Sequence, residues 1–374
     1  MGTIQRVRTG WLLGALGACV LVAGAAHAQQ IATERPGSIL MFPKVVRDGA
    51  RDTVIQITNT SNMPNYLRCF YLDGALGPDG RPVWTVRDFE LTLTRQQPTH
   101  WRASQGRKVD IMSSFGSDEA GLDPGLVPSV PEGFTGALVC AEVTPDFLLP
   151  LGRNNVKGEA TIEGPLANES KYNALAVPAG MMASTDNVLD LNGTEYAQCA
   201  NASRLNFIPD GATDPVIEAL GNAGTCNDPL GAPCNDSGDC NVGGTCTTGQ
   251  TSVTTNLTVL PCNLDFQNGI PTTLSLNFDV RDEFEVLFSG STTIDCWASF
   301  PIGILPALRS NRVLGGAIST QYATARISSS SGGPFVAIAE SFHTDSIGNT
   351  GSAAVNLHME GTGPNARILL SDNF

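Results

Sequence analysis

Apolar and polar residues alternate along this chain with a period of two. Residues 52–59 read Asp-Thr-Val-Ile-Gln-Ile-Thr-Asn, with Ile55 and Ile57 on one face and Gln56 and Thr58 on the other. Leu67, Cys69 and Tyr71 share one side of 66–72, and Phe89, Leu91 and Leu93 alternate with Glu90, Thr92 and Thr94. In the second half Val253, Thr255, Leu257 and Val259 repeat the pattern. Leu274, Leu276, Phe278 and Val280 then alternate cleanly with Ser275, Asn277, Asp279 and Arg281. Side chains of a strand point to opposite faces in turn, so each run predicts a strand with one buried face. Residues 134–143 are apolar on both faces and predict a strand buried on both sides. Residues 38–45 are apolar too but contain Pro43, which suits an edge strand because proline cannot donate to a ladder.

Weaker strand signals fall at 100–103, 158–162, 284–288, 292–300, 317–327, 335–343 and 353–359. The last two predict a hairpin across the Gly-rich stretch 346–352. Turn chemistry separates the runs, as in Asn-Thr-Ser-Asn-Met-Pro-Asn at 59–65 and Pro78-Asp79-Gly80. A Gly-, Pro- and carboxylate-rich loop is expected over 113–133. The one helix expected is a short one at 214–220. There are 40 Gly and 23 Pro in 374 residues, a composition that fits short strands joined by many turns.

These elements predict an all-β fold of two β-sandwich domains, at 29–170 and 171–374, with an insert at 221–249 in the second. The insert carries Cys226, Cys234, Cys240 and Cys246 at C-x7-C-x5-C-x5-C and almost no apolar side chains. It cannot form a core of its own, so two disulfides are expected to staple it. Zinc sites favour close cysteine pairs such as C-x2-C, and none occurs here.

Three runs in the first half, Asp52-Thr-Val-Ile-Gln-Ile-Thr-Asn59, Asp88-Phe-Glu-Leu-Thr-Leu93 and Phe134-Thr-Gly-Ala-Leu-Val-Cys140, resemble strands of bacterial immunoglobulin-like domains. The resemblance covers residues 36–165. It implies that the first sandwich is immunoglobulin-like, although the antibody-type Cys…Trp…Cys spacing is missing. The chain is also similar to uncharacterised secreted bacterial proteins, a likeness that implies no activity.

The N-terminus sets the compartment. Arg6 and Arg8 precede an apolar run from Trp11 to Ala26, and Ala26-His27-Ala28 offers the small-x-small pattern of a signal-peptidase site. Residues 1–28 therefore read as a signal peptide cleaved after Ala28. Leu16-Gly17-Ala18-Cys19 loosely resembles a lipobox, but the apolar run continues past Cys19. The expected location is secreted, periplasmic or cell-surface, where disulfides persist. No later apolar run is long enough for a membrane helix.

Cleavage leaves 20 basic residues (22 less Arg6 and Arg8) against 36 acidic ones, a net charge of −16. Nucleic acid and anionic lipid are polyanions and make poor partners for such a chain. Nine cysteines remain after cleavage, so one thiol has no partner within the chain. Cys69–Cys140 is expected as a bond between neighbouring strands and Cys262–Cys296 as a bond in the second domain. An exchange among Cys199, Cys262 and Cys296 stays open, because spacing does not fix connectivity.

Candidate chemistry is sparse. Asp186, Asp190 and Asn192, in a loop bent at Gly193, offer oxygen ligands for Ca2+ but lack EF-hand spacing; an Asx-turn loop is the plainer expectation. His343 and His358, with Glu340 and Glu360, suggest a transition-metal site across the expected hairpin. Glu340 and His343 fall on opposite faces of a regular strand, which makes that site geometrically awkward. Ser341, His343 and Asp345 lie too close on one strand to converge as a triad, and no P-loop or dinucleotide fingerprint occurs.

The expectation is therefore a non-enzymatic secreted or envelope protein without cofactor, a structural or adhesive module that binds a surface protein or glycan. Residues 38–45 are the expected partner edge. The alternatives are a carbohydrate-binding module using Tyr71, Trp84, Trp101 and Trp297 as platforms, and a metal-dependent extracellular enzyme.

Overall fold

The computed structural model describes residues 31–78, 80, 82–107, 125–165, 168–180, 186–212, 252–344 and 350–371, and the backbone of 224–227, 230–234 and 246–247. The described chain is all-β, with no α-helix. The expected leader, its expected cleavage site and the helix expected at 214–220 lie outside the described residues.

The first nine strands are β1 (Ile39–Arg47), β2 (Asp52–Asn59), β3 (Asn65–Asp73), β4 (Val86–Leu93), β5 (Pro98–Arg102), β6 (Phe134–Val143), β7 (Val156–Glu163), β8 (Glu169–Asn173) and β9 (Leu175–Val177). They form one sheet in the order β4-β3-β6-β1-β2-β7-β8, with β5 on β2 and β9 on β1. All pairs are antiparallel. The β1–β2 junction is a single pair, Arg47 with Asp52, so the sheet folds over there and encloses a core. Leu40, Ile55, Ile57, Leu67, Leu91 and Leu138 belong to that core. The sheet runs through residue 170, where a division was expected, and on to Val177.

The later strands are β10 (Val188–Leu191), β11 (Ala202–Phe207), β12 (Gly224–Asn227), β13 (Leu230–Cys234), β14 (Cys246–Thr247), β15 (Ser252–Pro261), β16 (Leu264–Asp265), β17 (Thr273–Asp282), β18 (Leu287–Asp295), β19 (Ala298–Pro301), β20 (Ala323–Ser329), β21 (Phe335–Thr344), β22 (Thr350–Asn356), β23 (His358–Glu360) and β24 (Ala366–Leu369). They make a five-stranded sheet β18-β17-β20-β11-β23, a four-stranded sheet β19-β15-β21-β22 and two three-stranded sheets, β10-β24-β16 and β13-β12-β14. Leu257, Leu274, Leu276, Phe278, Ala325 and Ala337 share one core of this half. The insert's backbone is the small sheet β13-β12-β14, in which Cys226 stands opposite Cys246. The side chains of its four cysteines lie outside the described residues.

A third core joins the halves. Ile39, Met41, Phe70, Leu72 and Val139, on the second face of the first sheet, pack with Leu191, Cys262, Phe266, Val336 and Ile368. The rings of Phe70 and Phe266 stack 4.3 Å apart. This explains why β1 and β6 read as continuous apolar runs, and why β3, expected to bury one face, is buried on both: neighbours cover both faces of all three.

Two expectations about strands are corrected. Residues 38–45 are not an edge: β1 lies between β6 and β9 and is buried from Ile39 to Val46. Pro43 is accommodated by a bulge between Phe42 and Val45, where the β1–β6 register shifts and no ladder donor is needed. The runs at 284–288 and 292–300 also divide differently. Residues 283–286 form the turn between β17 and β18, and the chain breaks again at Cys296, whose φ is 62°, before β19.

Candidate functional site

The bulge in β1 is where the two halves meet through polar groups. Tyr172 on β8 serves the bulged residue twice: its hydroxyl accepts from the Lys44 N–H at 3.2 Å and donates to the Lys44 carbonyl. Trp297 Nε1–H donates to the Pro43 carbonyl at 2.6 Å. The Lys44 ammonium meets the Glu340 carboxylate on β21 and donates to Ser299 Oγ at 3.2 Å. Ser170 Oγ donates to the other Glu340 oxygen at 2.7 Å. Both charged side chains are buried, at 2% and 1% exposure, so neither charge is solvated. Burial lowers the Lys44 ammonium from its ordinary range, and the Glu340 carboxylate works against that shift.

Two further buried charges are held the same way. Glu142 on β6 accepts from Asn65 Nδ2 at 2.6 Å and from the backbone N–H of Arg153 and Asn155 at 2.9 Å. Burial raises its carboxyl above the ordinary range despite these donors. Arg68 on β3 donates to the Ser371 carbonyl at 2.7 Å and pairs with Asp88 at 3.2 Å, tying residue 371 to the first sheet. These groups connect elements.

The loop offered for Ca2+ consumes its own oxygens. Asp186 Oδ1 accepts from the Val188 N–H, and Asn192 Oδ1 accepts from the N–H groups of Thr194 and Glu195. Asp190 pairs with Arg367 at 2.7 Å. With Gly193 at φ +81°, this is an Asx-turn connection.

The histidines are placed apart. His343 sits on β21 opposite Gly351, in the expected hairpin with β22. The chain then changes sheet at Leu357, and His358 lies on β23 opposite Arg204. Glu360 is occupied by Arg204 at 2.7 Å and Arg326 at 3.2 Å. Although desolvation opposes it, the two guanidiniums hold that carboxyl below the usual range. Among the described residues no group of three or more His, Cys, Asp or Glu side chains is placed to hold a metal ion.

Cys69 and Cys140 face each other on β3 and β6 and are bonded. The bond expected between Cys262 and Cys296 does not form. Cys262 is bonded to Cys199, and among the described residues Cys296 is the free thiol, buried in the break between β18 and β19. Burial, with Asp295 beside it, pushes that thiol up to about 12.

The aromatic platform is corrected as well. Tyr71, Trp101 and Trp297 are buried, and Trp101 Nε1–H donates to Tyr71 Oη at 2.6 Å inside the first core. Trp297 lies over Gly74, where a Cβ would come within 2.2 Å of its ring. Trp84 is half-buried against the joining core.

Sequence reasoning missed an exposed strand at a sheet edge. Residues 287, 289, 291, 293 and 295 of β18 are exposed, and β18 pairs only with β17 among the described residues. Asp295 is its one charge and it contains no proline. Phe284, Leu287 and Val286 lead into it at 78%, 59% and 47% exposure. A long edge with a single charge offers unpaired N–H and C=O groups to another strand.

No protein-family profile matches the chain, and no curated protein matches it. A solved protein of Thermotoga maritima, described as "Crystal Structure of Thermotoga maritima 1070", is 11% identical over 38% of this chain and 95% of that one, with a TM-score of 0.24. A likeness of that size transfers neither fold nor activity.

Proposed function

We propose that this chain is a non-enzymatic secreted or cell-envelope protein, a structural or adhesive module that binds other surface components. On this reading the two halves are β-sandwiches, the first immunoglobulin-like, that present a binding edge. One observation carries it: among the described residues β18 leaves a nine-residue edge open, with a single charge and an apolar lead-in. Strand addition at such an edge takes affinity from main-chain hydrogen bonds and specificity from alternate side chains. Two disulfides and the absence of a membrane-spanning helix among the described residues are consistent with this compartment.

The test is binding of the purified mature chain to envelopes of its own cells. Ser289 and Ser291 are exposed, so Lys at both leaves the core untouched and charges the edge. At least tenfold weaker binding of the Ser289→Lys/Ser291→Lys variant is expected. Equal binding by the two proteins, or none by either, would overturn the proposal.

A further inference from the structure

The sequence of β18 is complementary to itself, and we infer that the partner at this edge is a second copy of the chain, paired antiparallel about a two-fold axis at Ser291. The inference rests on the proposed role of the β18 edge and names its occupant. Centring on Ser291 is the one antiparallel register that uses all nine residues. It sets Leu287 against Asp295, Phe288 against Ile294, Ser289 against Thr293, Gly290 against Thr292, and Ser291 against itself.

Three of these oppositions are favourable, those of Phe288 with Ile294, Ser289 with Thr293 and Ser291 with itself. Phe288, Gly290, Thr292 and Ile294 stand opposite Val280, Phe278, Leu276 and Leu274 of β17, which are core residues, so they lie on the core side of the strand. Phe288 is only partly buried there, packed at the margin of the core. Ile294 of the second copy would cover it, an aromatic–β-branched pair of the kind that stabilises sheets. On the solvent side, Ser289 with Thr293 and Ser291 with Ser291 are hydroxyl pairs able to hydrogen-bond.

The one charge within the strand is not set against itself, and Glu283 and Glu285 of the turn before Leu287 are the acidic groups nearest the joint. Asp295 stands at one end of the strand, so the two copies of it fall at opposite ends of the joint and never face each other. Each lies beside Leu287 of the other copy, whose neighbour on β17 is Arg281, of opposite sign. The paired segment is roughly 30 Å long at about 3.4 Å per residue. A ladder of that length supplies about as many hydrogen bonds as a typical protein interface, roughly ten. A two-fold axis also closes the assembly at two copies. The single-turn helix Pro306–Leu308 packs against the core side at Gly290, where a Cβ would meet Ala307 at 3.6 Å, an ordinary contact.

Sedimentation of the mature chain at tens of micromolar tests this, with three variants at exposed positions. The wild type should run as a dimer, and Ser291→Lys, which sets two cations face to face, should weaken it at least tenfold. Ser291→Cys should cross-link to its own copy under mild oxidation, because directly opposed Cβ atoms lie within disulfide reach. Ser289→Cys should not, since its copy lies four residues away along the strand. A monomeric wild type overturns the inference. So does a dimer that survives Ser291→Lys without a Ser291→Cys cross-link. Envelope binding separates this inference from the function proposed above. A monomer that still loses envelope binding on charging the edge removes the self-pairing and keeps the surface role. A dimer through Ser291 whose envelope binding ignores the edge does the reverse.

Discussion

Lys44 and Glu340 show how much one residue pair can decide. Each is a charge in an otherwise apolar run, in Ile-Leu-Met-Phe-Pro-Lys-Val-Val and Phe-Val-Ala-Ile-Ala-Glu, and that oddity is visible in the sequence. Their meeting is not, because 296 residues separate them. Removing one member leaves an uncompensated buried charge, so Glu340→Gln should cost roughly 3–5 kcal/mol. The double variant Lys44→Met/Glu340→Leu should recover most of that loss. Denaturant midpoints measure both, and a cost under about 1 kcal/mol for Glu340→Gln would show that the pair is not holding the halves together. Glu142 gives a pH signature. Its folded pKa is raised above the ordinary 4.5 by burial, so in that window the folded state holds the proton more tightly than the unfolded chain. The stability linked to this group is therefore present at acid pH and lost as pH rises through the folded pKa. As pH falls from neutral toward the ordinary carboxyl range the wild type should gain stability relative to Glu142→Gln, as read from paired melting curves; a constant difference would refute this. Cys296, with its thiol pushed up to about 12, should stay unmodified by iodoacetamide at pH 8 until the protein unfolds. Rapid alkylation of the native protein would contradict its burial.

Among the elements, legibility followed exposure. β2, β4 and β17 each bury one face, so their period of two stands out and the sequence locates them closely. β6 was legible as a run apolar on both faces, and covered faces are what the structure gives it. β1 has the same character, but Pro43 suggested an edge because a bulge in the middle of a sheet leaves no local mark. The free edge at β18 was hidden for a related reason: which strand ends a sheet depends on pairing order, and its Ser- and Thr-rich run looks like any solvated strand. The β3–β6 pair depends on one small residue. A Cβ on Gly136 would lie 1.8 Å from the Leu72 carbonyl oxygen, so Gly136→Ala must push the two strands apart. A loss of about 2 kcal/mol or more is expected, against almost none for Gly351→Ala, where no atom lies within 4 Å. Equal melting temperatures for the two variants would show that β3 and β6 adjust freely.

At the scale of the whole molecule, the joining core makes the two halves one folding problem. The first sheet presents Ile39, Met41, Phe70, Leu72 and Val139 to the second half, and Trp297 reaches back to the Pro43 carbonyl and the space over Gly74. A sequence divides readily at a composition change such as the Cys-rich insert, yet the packing pays no attention to that mark. The core that joins the halves draws on strands from residue 39 to residue 369, whose contact no local pattern announces. Unfolding should therefore be a single cooperative transition, although a chain of this length often melts in parts. Calorimetry of the oxidised mature chain should give one peak whose calorimetric and van't Hoff enthalpies agree. A protein of residues 29–177 alone should expose the apolar face of β1, β3 and β6 and bind a hydrophobic dye in proportion to that surface. Two separate peaks, or a soluble 29–177 fragment that melts like the intact protein and binds no dye, would mean that the joining core adheres without contributing to folding, and that Lys44 and Glu340 hold together two units stable on their own.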